Sequence, residues 1–536
     1  MTVTSDPAAR IPQCTLEQFE GDFAGRHRLH DVVTYWAARR PRSPALVQYG
    51  GPALDWEAFH RQSGALAAAL VRLGFRKGDF LATSLPFLIE HVLLEYACFR
   101  IGVIPAPLDL RLKPAEVARL TAMIRPRGFA CLDGAAAPAG AEHILTLPAI
   151  REASQTPAEA PDAGATEHDG ALVIFTTGST GAPKPALLSH RNITCQNLCL
   201  GAAFGFGERT RLLVNLPPSH VGGQAEALMT TLFWGGTAVL LDTFDAGRSL
   251  DAIERYRINL LGQVPTMFQL EWRAADYARY DLSSLEAVIY GGQQVAEPFL
   301  ERLAAMAPRI GSGLGLTESG GFCTYTPAGA TPEELAASIG YDMPVYPMSI
   351  REPMREDGSA GAELPAGEIG HICFRGPQTF LGYVGDPAAT AGTISADGYL
   401  YTGDMGLRDA RGLRFAGRAK WVIKPRGYQV FPGDIENHFL SLRDLVASAG
   451  AVGVPHQVFS EAIVAFVEKK PGVELSLREL KQHARGLTAY LRPLHYVVLE
   501  PGQMPLNRVA KIDYVRLHEL ALAEVEKLRS RRRWDR

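Results

Sequence analysis

Ala171-Leu172-Val173-Ile174-Phe175-Thr176-Thr177-Gly178-Ser179-Thr180-Gly181-Ala182-Pro183-Lys184 joins an apolar run to a loop of small hydroxyl and glycine residues ending in lysine. The run Ala171 to Phe175 predicts a buried strand. The loop after it can turn several backbone N–H groups and hydroxyls toward one anion, because glycine has no Cβ to block close approach. Lys184 adds a mobile positive charge suited to a polyphosphate. The common P-loop places Lys and then Ser or Thr directly after glycine, at the start of a helix. Here Pro183 precedes the lysine and Pro185 follows it, so no regular helix begins there. A glycine-rich linker is the alternative, but a linker needs neither a preceding strand nor a terminal lysine. The expected ligand is a nucleoside triphosphate held by its phosphates.

At 536 residues the chain exceeds what one core fills, so two or more domains are expected. Apolar residues make up 47% and charged residues 21%, the balance of a soluble globular protein. The net charge of −3 gives no sign of a nucleic-acid or anionic-membrane partner. The basic run Arg529-Ser530-Arg531-Arg532-Arg533 reads as a solvated helix end. Seven cysteines, an odd number without paired CxxC spacing, point to reduced thiols and a cytoplasmic location. Cys195 and Cys199 read as buried small hydrophobes. The polar start Thr2 to Asp6 lacks a signal pattern, and no apolar run reaches the ~18 residues needed to span a bilayer.

From Leu29 to about Leu240 helical stretches alternate with short apolar strands, such as the helix Asp55 to Leu73 and the strand Phe80 to Leu85. The alternation continues through Gly236 to Leu241 and Ala287 to Tyr290, predicting an α/β fold of layered units with parallel sheets. Gly134 to Glu167, rich in Ala, Pro, Gly and Glu, reads as a surface excursion. After about Thr326 helical periodicity fades and segments such as Gly370 to Phe374 predict a small β-rich subdomain, about 327–419. From Lys420 the texture changes again: strand-like Trp421 to Ile423, a helix from Pro432 to about Leu442, a strand near Ala462 to Val467 and a helix Leu477 to Tyr490 predict an α+β unit. The expected division is a large N-terminal domain, 1–419, and a small C-terminal domain, 420–536.

Further segments carry polar residues that packing does not explain. They are Leu314-Gly315-Leu316-Thr317-Glu318, Tyr401-Thr402-Gly403-Asp404, Gly417-Arg418-Ala419-Lys420, Lys424-Pro425-Arg426-Gly427-Tyr428, and Pro505-Leu506-Asn507-Arg508-Val509-Ala510-Lys511. Any one alone reads as a capped turn or a solvated charge. Their order in one chain, with the loop Phe175 to Lys184, resembles the adenylate-forming superfamily of acyl- and aryl-CoA synthetases, luciferases and nonribosomal adenylation domains. The resemblance runs from about Leu29 to about Tyr514.

That resemblance implies a mobile C-terminal lid domain and binding of ATP, Mg²⁺, a carboxylic acid and coenzyme A. It implies that Thr176, Thr177, Gly178, Ser179, Thr180, Gly181 and Lys184 hold the outer phosphates. Thr317 would touch the α-phosphate and Glu318 would hold Mg²⁺. Gly291, Gly292, Gln293, Leu314 and Gly315 would lie along the nucleotide. Asp404, with Arg418, would take the ribose hydroxyls, and Lys511 would stabilise charge in adenylation. Lys420 matches the family's hinge, and Lys424 and Gly427 the face brought in for thiol attack, with Gly427 either lining a pantetheine tunnel or serving a turn. His220, Gly222, Gly223, Gln224, Gly291, Gly313, Gly320 and Gly321 would form the acyl pocket, His220 moving with substrate. The glycines predict a wide pocket, suited to a ring. No acidic residue occurs from Ser219 to Gln224, which favours a simple acid over an amino acid. Pro185, Leu314, Gln293 and Ala510 depart from the family pattern and put substrate geometry in doubt.

The expected activity is ATP-dependent ligation of an aromatic, cyclic or medium-chain carboxylic acid to CoA through an acyl-adenylate. Two alternatives stay open: a stand-alone adenylating enzyme serving a separate acyl carrier protein or an amine, and a non-catalytic nucleotide-binding protein. Retention of Lys184, Glu318, Asp404 and Lys511 weighs against the last. Both a monomer and a homodimer are compatible with the sequence.

Overall fold

The apolar run at the head of the phosphate-loop sequence is the strand Gly170–Thr176, and it pairs antiparallel with Lys184–Ser189. Thr176 stands opposite Lys184, so the two ends of the loop sequence meet across a hairpin. The computed structural model describes residues 7–135, 138, 140–158, 164–176, 183–506, 512–531 and 533–535. Thr177, Gly178, Ser179, Thr180, Gly181 and Lys511 lie outside the described residues. A third strand, Gly382–Tyr383, adds to the free edge of Lys184–Ser189.

Two parallel sheets flank this hairpin in the sequence. The larger has seven strands in the order Arg309–Gly311, Ala287–Tyr290, Leu260–Gln263, Arg211–Val214, Thr237–Leu240, Pro44–Gln48 and Ala53–Asp55. All its pairings are parallel except the last edge. The smaller orders Ile104–Pro107, Phe80–Ser84, Gly128–Cys131 and His143–Thr146, all parallel. Strands such as Thr237–Leu240 and Ala287–Tyr290 are buried at every residue, as sheets covered on both faces require. Helix Ile89–Ile101 is buried on nearly its whole circumference, which fits a helix apolar all round.

Two further units follow. Met348–Arg351, Gly370–Phe374, Leu400–Asp409 and Gly412–Arg418 form an antiparallel sheet. Val446–His456 and Ser460–Lys469 pair antiparallel, with His495–Leu499 parallel to the latter. Two buried clusters sit with that last sheet, one containing Ile435, Phe439 and Ile463, the other Val464, Leu517 and Trp534. Neither includes a residue before Ile423. The chain is thus α/β, with a large N-terminal domain and a small C-terminal α+β domain that has its own core.

The structure corrects three expectations. The supposed excursion Gly134 to Glu167 contains the strand His143–Thr146 and the helix Leu147–Gln155, which buries Ile150. Four strand residues, of which only Leu145 is buried, were too few to stand out against Ala/Pro/Gly-rich flanks. Trp421 to Ile423 is not a strand: Ala419–Trp421 is a 3₁₀ turn, and Ile423 alone bridges to Val430. The helix from Leu477 ends at His483, followed by short turns Ala484–Gly486 and Ala489–Leu491. Leu480, Ala484 and Leu487 are buried all the same, so the apolar spacing survives the change of backbone. All seven cysteines are buried free thiols. Among the described residues no helix is long and apolar enough to cross a membrane.

Helix Ile89–Ile101 carries two fully buried ionisable groups, His91 and Glu95. His91 Nδ1 donates to the Pro86 carbonyl at 3.1 Å, and Nε2 accepts from the Thr83 hydroxyl at 2.9 Å. Burial pushes His91 down to about 4 and the Glu95 carboxyl from its ordinary 4.5 up to about 8, so both are neutral near pH 7. Folded Glu95 keeps its proton to about pH 8, whereas the unfolded chain releases it near 4.5. Its contribution to stability is complete below the unfolded value and is lost as pH rises through the folded one. In Glu95→Gln, which has no proton to lose at that position, the melting temperature is expected to fall less than that of the parent between about pH 5 and about pH 8, both chains sharing the loss from Glu226, Glu271 and Glu436, whose carboxyls burial pushes up to about 7. Parallel melting profiles across that window would contradict this.

Candidate active site

Three groups of sequence-predicted site residues lie past the carboxyl ends of parallel strands in the larger sheet. His220 to Gln224 come after Arg211–Val214, Gly291 to Gln293 after Ala287–Tyr290, and Gly313 to Glu318 after Arg309–Gly311. The last two strands are neighbours, and one strand separates them from the first. Parallel strands all expose their carboxyl ends on the same edge, where α/β folds gather ligand sites. His220, Gly222, Gly223, Gln224, Gly291, Gly292, Gln293, Gly313, Leu314 and Gly315 are therefore brought to one side of the sheet.

The segment after Gly311 folds into a small hairpin. Gly315–Leu316 pair with Gly321–Phe322, and Thr317–Ser319 form the 3₁₀ turn at its tip. The Leu314 N–H donates to Thr324 Oγ1 at 2.8 Å, and Ser319 Oγ donates to the Gly321 carbonyl at 2.7 Å. Thr317 and Glu318 are presented half-buried.

This tip is tied to the hairpin that carries Lys184. The Phe380 N–H donates to the Glu318 carbonyl at 2.9 Å, and the N–H groups of Leu381 and Val384 donate to the carbonyls of Leu187 and Pro185, both at 2.9 Å. Gln378 Nε2 donates to the Ser319 carbonyl at 3.0 Å. Tyr383 Oη donates to Glu318 Oε1 at 2.6 Å, and Lys184 Nζ lies 5.0 Å from the centre of the same ring. Burial, then the Glu318 charge, push the Tyr383 hydroxyl well above its usual range, so it remains a donor. Tyr383 thus touches both the expected phosphate-binding lysine and the expected metal-binding carboxylate. Sequence reasoning missed it, since only the pairing of Gly382–Tyr383 onto the hairpin brings it there.

Asp404 and Arg418 face each other across the antiparallel pair Leu400–Asp409 and Gly412–Arg418, with Arg418 Nε 2.9 Å from Asp404 Oδ1. Asp404 is buried while Arg418 is half-exposed. The Asp404 carboxylate thus has the Arg418 guanidinium against one oxygen, and carboxylate oxygens are acceptors for hydroxyl donors. The Asp404 N–H donates to Thr402 Oγ1 at 3.1 Å, fixing the bend at which the carboxylate sits.

Where the acyl pocket is expected, His220 is exposed, and its Nδ1 accepts from the Gly222 N–H at 3.0 Å. Gly222–Met229 is a π-helix, a rare form that often marks functional segments. Gln224 is fully buried and its Nε2 donates to Glu95 Oε1 at 2.5 Å. The glycines do not open a wide space, as the sequence led us to expect. A Cβ on Gly223 would meet the Pro217 carbonyl at 2.5 Å, one on Gly320 the Asn192 side chain at 3.1 Å, and one on Gly321 Glu226 at 2.7 Å. Gly291 and Gly315 likewise abut the Phe322 ring. These glycines let segments approach closely rather than leaving room. A carboxylate is also present here, two residues past the window in which the sequence showed none: Glu226.

Lys420, on the 3₁₀ turn Ala419–Trp421, is exposed, with Nζ 5.1 Å from the centre of the Trp421 ring. Lys424 is exposed, and its backbone N–H donates to Glu461 Oε2 at 2.5 Å. Gly427 has φ +84°, and a Cβ there would meet nothing, so in this arrangement its turn accounts for the glycine. Among the described residues no group of three or more His, Cys, Asp or Glu could hold a metal ion. Mg²⁺ keeps waters and binds through one or two carboxylates plus substrate phosphates; Glu318, whose Oε1 accepts from Tyr383, has hard oxygen donors that fit it.

The AMP-binding enzyme family matches residues 33–384, and the AMP-binding enzyme C-terminal domain matches residues 434–511. The chain is 32% identical over 474 residues to 4-coumarate–CoA ligase-like 6 of Oryza sativa subsp. japonica, covering 82% of this chain and 78% of that one. It is 31% identical over 463 residues to a feruloyl-CoA synthase of Amycolatopsis sp, covering 83% and 90%. ATP-bound MatB from Rhodopseudomonas palustris shares the fold, with a TM-score of 0.79 at 24% identity over 91% of this chain and 98% of that one. With both domain matches on one chain and a relative 32% identical over 82% of it, the protein belongs to the AMP-binding, or adenylate-forming, enzyme family.

Proposed function

We propose that this protein is an ATP-dependent carboxylate–CoA ligase: it joins an acid to the α-phosphorus of ATP, releases pyrophosphate, and passes the acyl group from AMP to the CoA thiol. The observation that carries the reading is the clamp in which Tyr383 contacts both Lys184 and Glu318. A carboxylate attacking a polyphosphate brings two anions together, so fixed cations and oriented donors must offset the repulsion. Lys184, with Thr176 to Gly181, would hold the outer phosphates, and Thr317 would donate to the α-phosphate. Glu318 would hold Mg²⁺, which when bound draws charge from the phosphate oxygens. Asp404, with Arg418, would anchor the ribose hydroxyls, and Gln293, Leu314 and Gly315 would flank the base. Lys511, at the last residue of the C-terminal family match, would neutralise the reacting oxygens.

For the second step we place the domain division at 419/420. Lys420 lies between the last strand of the antiparallel sheet and Ile423, the first residue of the C-terminal core. Rotation there would withdraw Lys511 and bring the Lys424–Gly427 face toward the site for thiol attack. The names of two relatives, a 4-coumarate–CoA ligase-like protein and a feruloyl-CoA synthase, support an aromatic acid within the aromatic, cyclic or medium-chain range.

Acid-dependent ATP–pyrophosphate exchange without CoA tests adenylation, and thioester formation with free CoA tests the acceptor. Exchange with aromatic acids followed by CoA thioester formation is expected; exchange with transfer only to a holo-carrier protein would overturn the CoA assignment. Lys511→Ala is expected to slow exchange by about 10²–10³-fold yet spare thioester formation from supplied acyl-adenylate. Equal losses in both steps would refute its assignment to adenylation alone. Tyr383→Phe is expected to raise the Mg²⁺ concentration for half-maximal exchange by about 10-fold or more, and an unchanged Mg²⁺ dependence would remove Tyr383 from metal positioning.

A further inference from the structure

Past helix Tyr514–Ser530 the chain folds back on its own domain. Trp534 is 2% exposed and packs with Val454, Val464, Leu517 and Val525. Polar contacts fix the segment as well. Trp534 Nε1 and Arg529 Nη2 both donate to the Pro455 carbonyl, at 3.2 and 2.8 Å. Asp535 Oδ1 accepts from the Gln457 N–H at 3.2 Å, and its Oδ2 lies 3.0 Å from Arg529 Nε. These contacts fall on residues 455–457, which lead into the turn joining Val446–His456 to Ser460–Lys469.

His456 carries the constraint across that turn. It is buried, and its Nδ1 accepts from the Val458 and Phe459 N–H groups at 3.1 and 3.3 Å. The ring proton therefore sits on Nε2, which donates to the Trp534 carbonyl at 2.9 Å. The imidazole also stacks on the Phe459 ring, with centroids 4.5 Å apart and planes 14° from parallel. Phe459 in turn holds the expected thiol-attack face. Its carbonyl accepts from the Arg426 N–H at 2.8 Å, and the Arg426 guanidinium lies 4.1 Å from the centre of its ring. Pro425 bridges to Ser460, and the Lys424 N–H donates to Glu461 Oε2. Arg426 and Ser460 have φ +54° and +65°, two of the four non-glycine residues in the left-handed region among those described. Backbone of that kind persists where its surroundings over-determine it, and it gathers at functional sites.

We infer that Trp534, His456 and Phe459 are positioning residues for thioester formation: they set the 424–427 face from behind, an inference that rests on the ligase reading above. Lys424, Arg426 and Gly427 are exposed, and a Cβ on Gly427 would meet nothing. The face therefore has little packing of its own, and its shape comes from the turn to which it is bonded. A displacement of about 1 Å at a reacting site can cost about 10²-fold in rate. Adenylation does not call on this face, so a loosened turn should be felt in the thiol step alone. A tryptophan that merely stabilised the domain would instead lower both steps together, because Lys511 belongs to the same domain.

The test measures the half-reactions separately, by ATP–pyrophosphate exchange without CoA and by thioester formation from supplied acyl-adenylate at saturating CoA. Phe459→Ala and Trp534→Ala are expected to slow thioester formation by about 10–100-fold and to leave exchange unchanged. Retained exchange also certifies that the domain carrying Lys511 is folded. Phe459→Tyr and Trp534→Phe keep the ring contacts and should keep the parent's thioester rate. Trypsin gives a readout apart from activity: cleavage of the native protein after Arg426 should quicken in the alanine variants and not in the conservative ones. Should Trp534→Ala not fold, Phe459→Ala carries the test. Equal losses in both half-reactions overturn the inference, as does a thioester rate or an Arg426 cleavage rate that Phe459→Ala leaves unchanged. Exchange without any CoA thioester from the parent overturns the ligase reading, and the inference falls with it.

Discussion

The strand Gly382–Tyr383, laid along the edge of the Lys184 hairpin, is the contact on which the arrangement depends. It joins three segments far apart in sequence: the hairpin from Gly170 to Ser189, the Thr317–Ser319 turn, and the stretch Gln378 to Val384 within the β-rich region. Backbone bonds from Phe380, Leu381 and Val384 set the register, and the Tyr383 side chain then bridges cation and carboxylate. The value of this geometry is electrostatic. Charges that must stabilise a reaction between anions are effective only when fixed beforehand, because reorientation during the reaction would consume much of their effect.

The scaffold was legible in the sequence wherever strands were continuous apolar runs. Ala171 to Phe175, Phe80 to Ser84 and Ala287 to Tyr290 declared themselves by composition, and the parallel sheets follow from their alternation with helices. The site segments were legible because their polar and glycine residues, such as Leu314 to Glu318 and Tyr401 to Asp404, stand in one order along the chain. Less legible were contacts made by short or irregular elements. Tyr383 belongs to a two-residue strand whose partner lies almost two hundred positions earlier. The unit around His143 was hidden by its flanks.

The acyl side shows a different limit. Paired glycines at 222–223 and 320–321 were expected to leave room, but a glycine equally marks a place where another segment comes close, and sequence alone does not distinguish the two. Here neighbours fill the space, and one of them is Glu226. Its direction could not be anticipated from a 3.6-residue period because the segment is a π-helix, in which i→i+5 bonding changes the facing of each later side chain. Nothing in the sequence marks the buried amides Asn192 and Gln196, whose unpaired atoms show only in three dimensions.

The central claim is that nucleotide and acid meet on the carboxyl edge of the larger sheet, between the Lys184 hairpin and the Asp404–Arg418 pair. A crystal structure with Mg²⁺ and a non-hydrolysable ATP analogue tests it most directly. The account requires the ribose on Asp404, the metal on Glu318 and the outer phosphates beside Lys184. Nucleotide density elsewhere, with these three side chains unengaged, would contradict it.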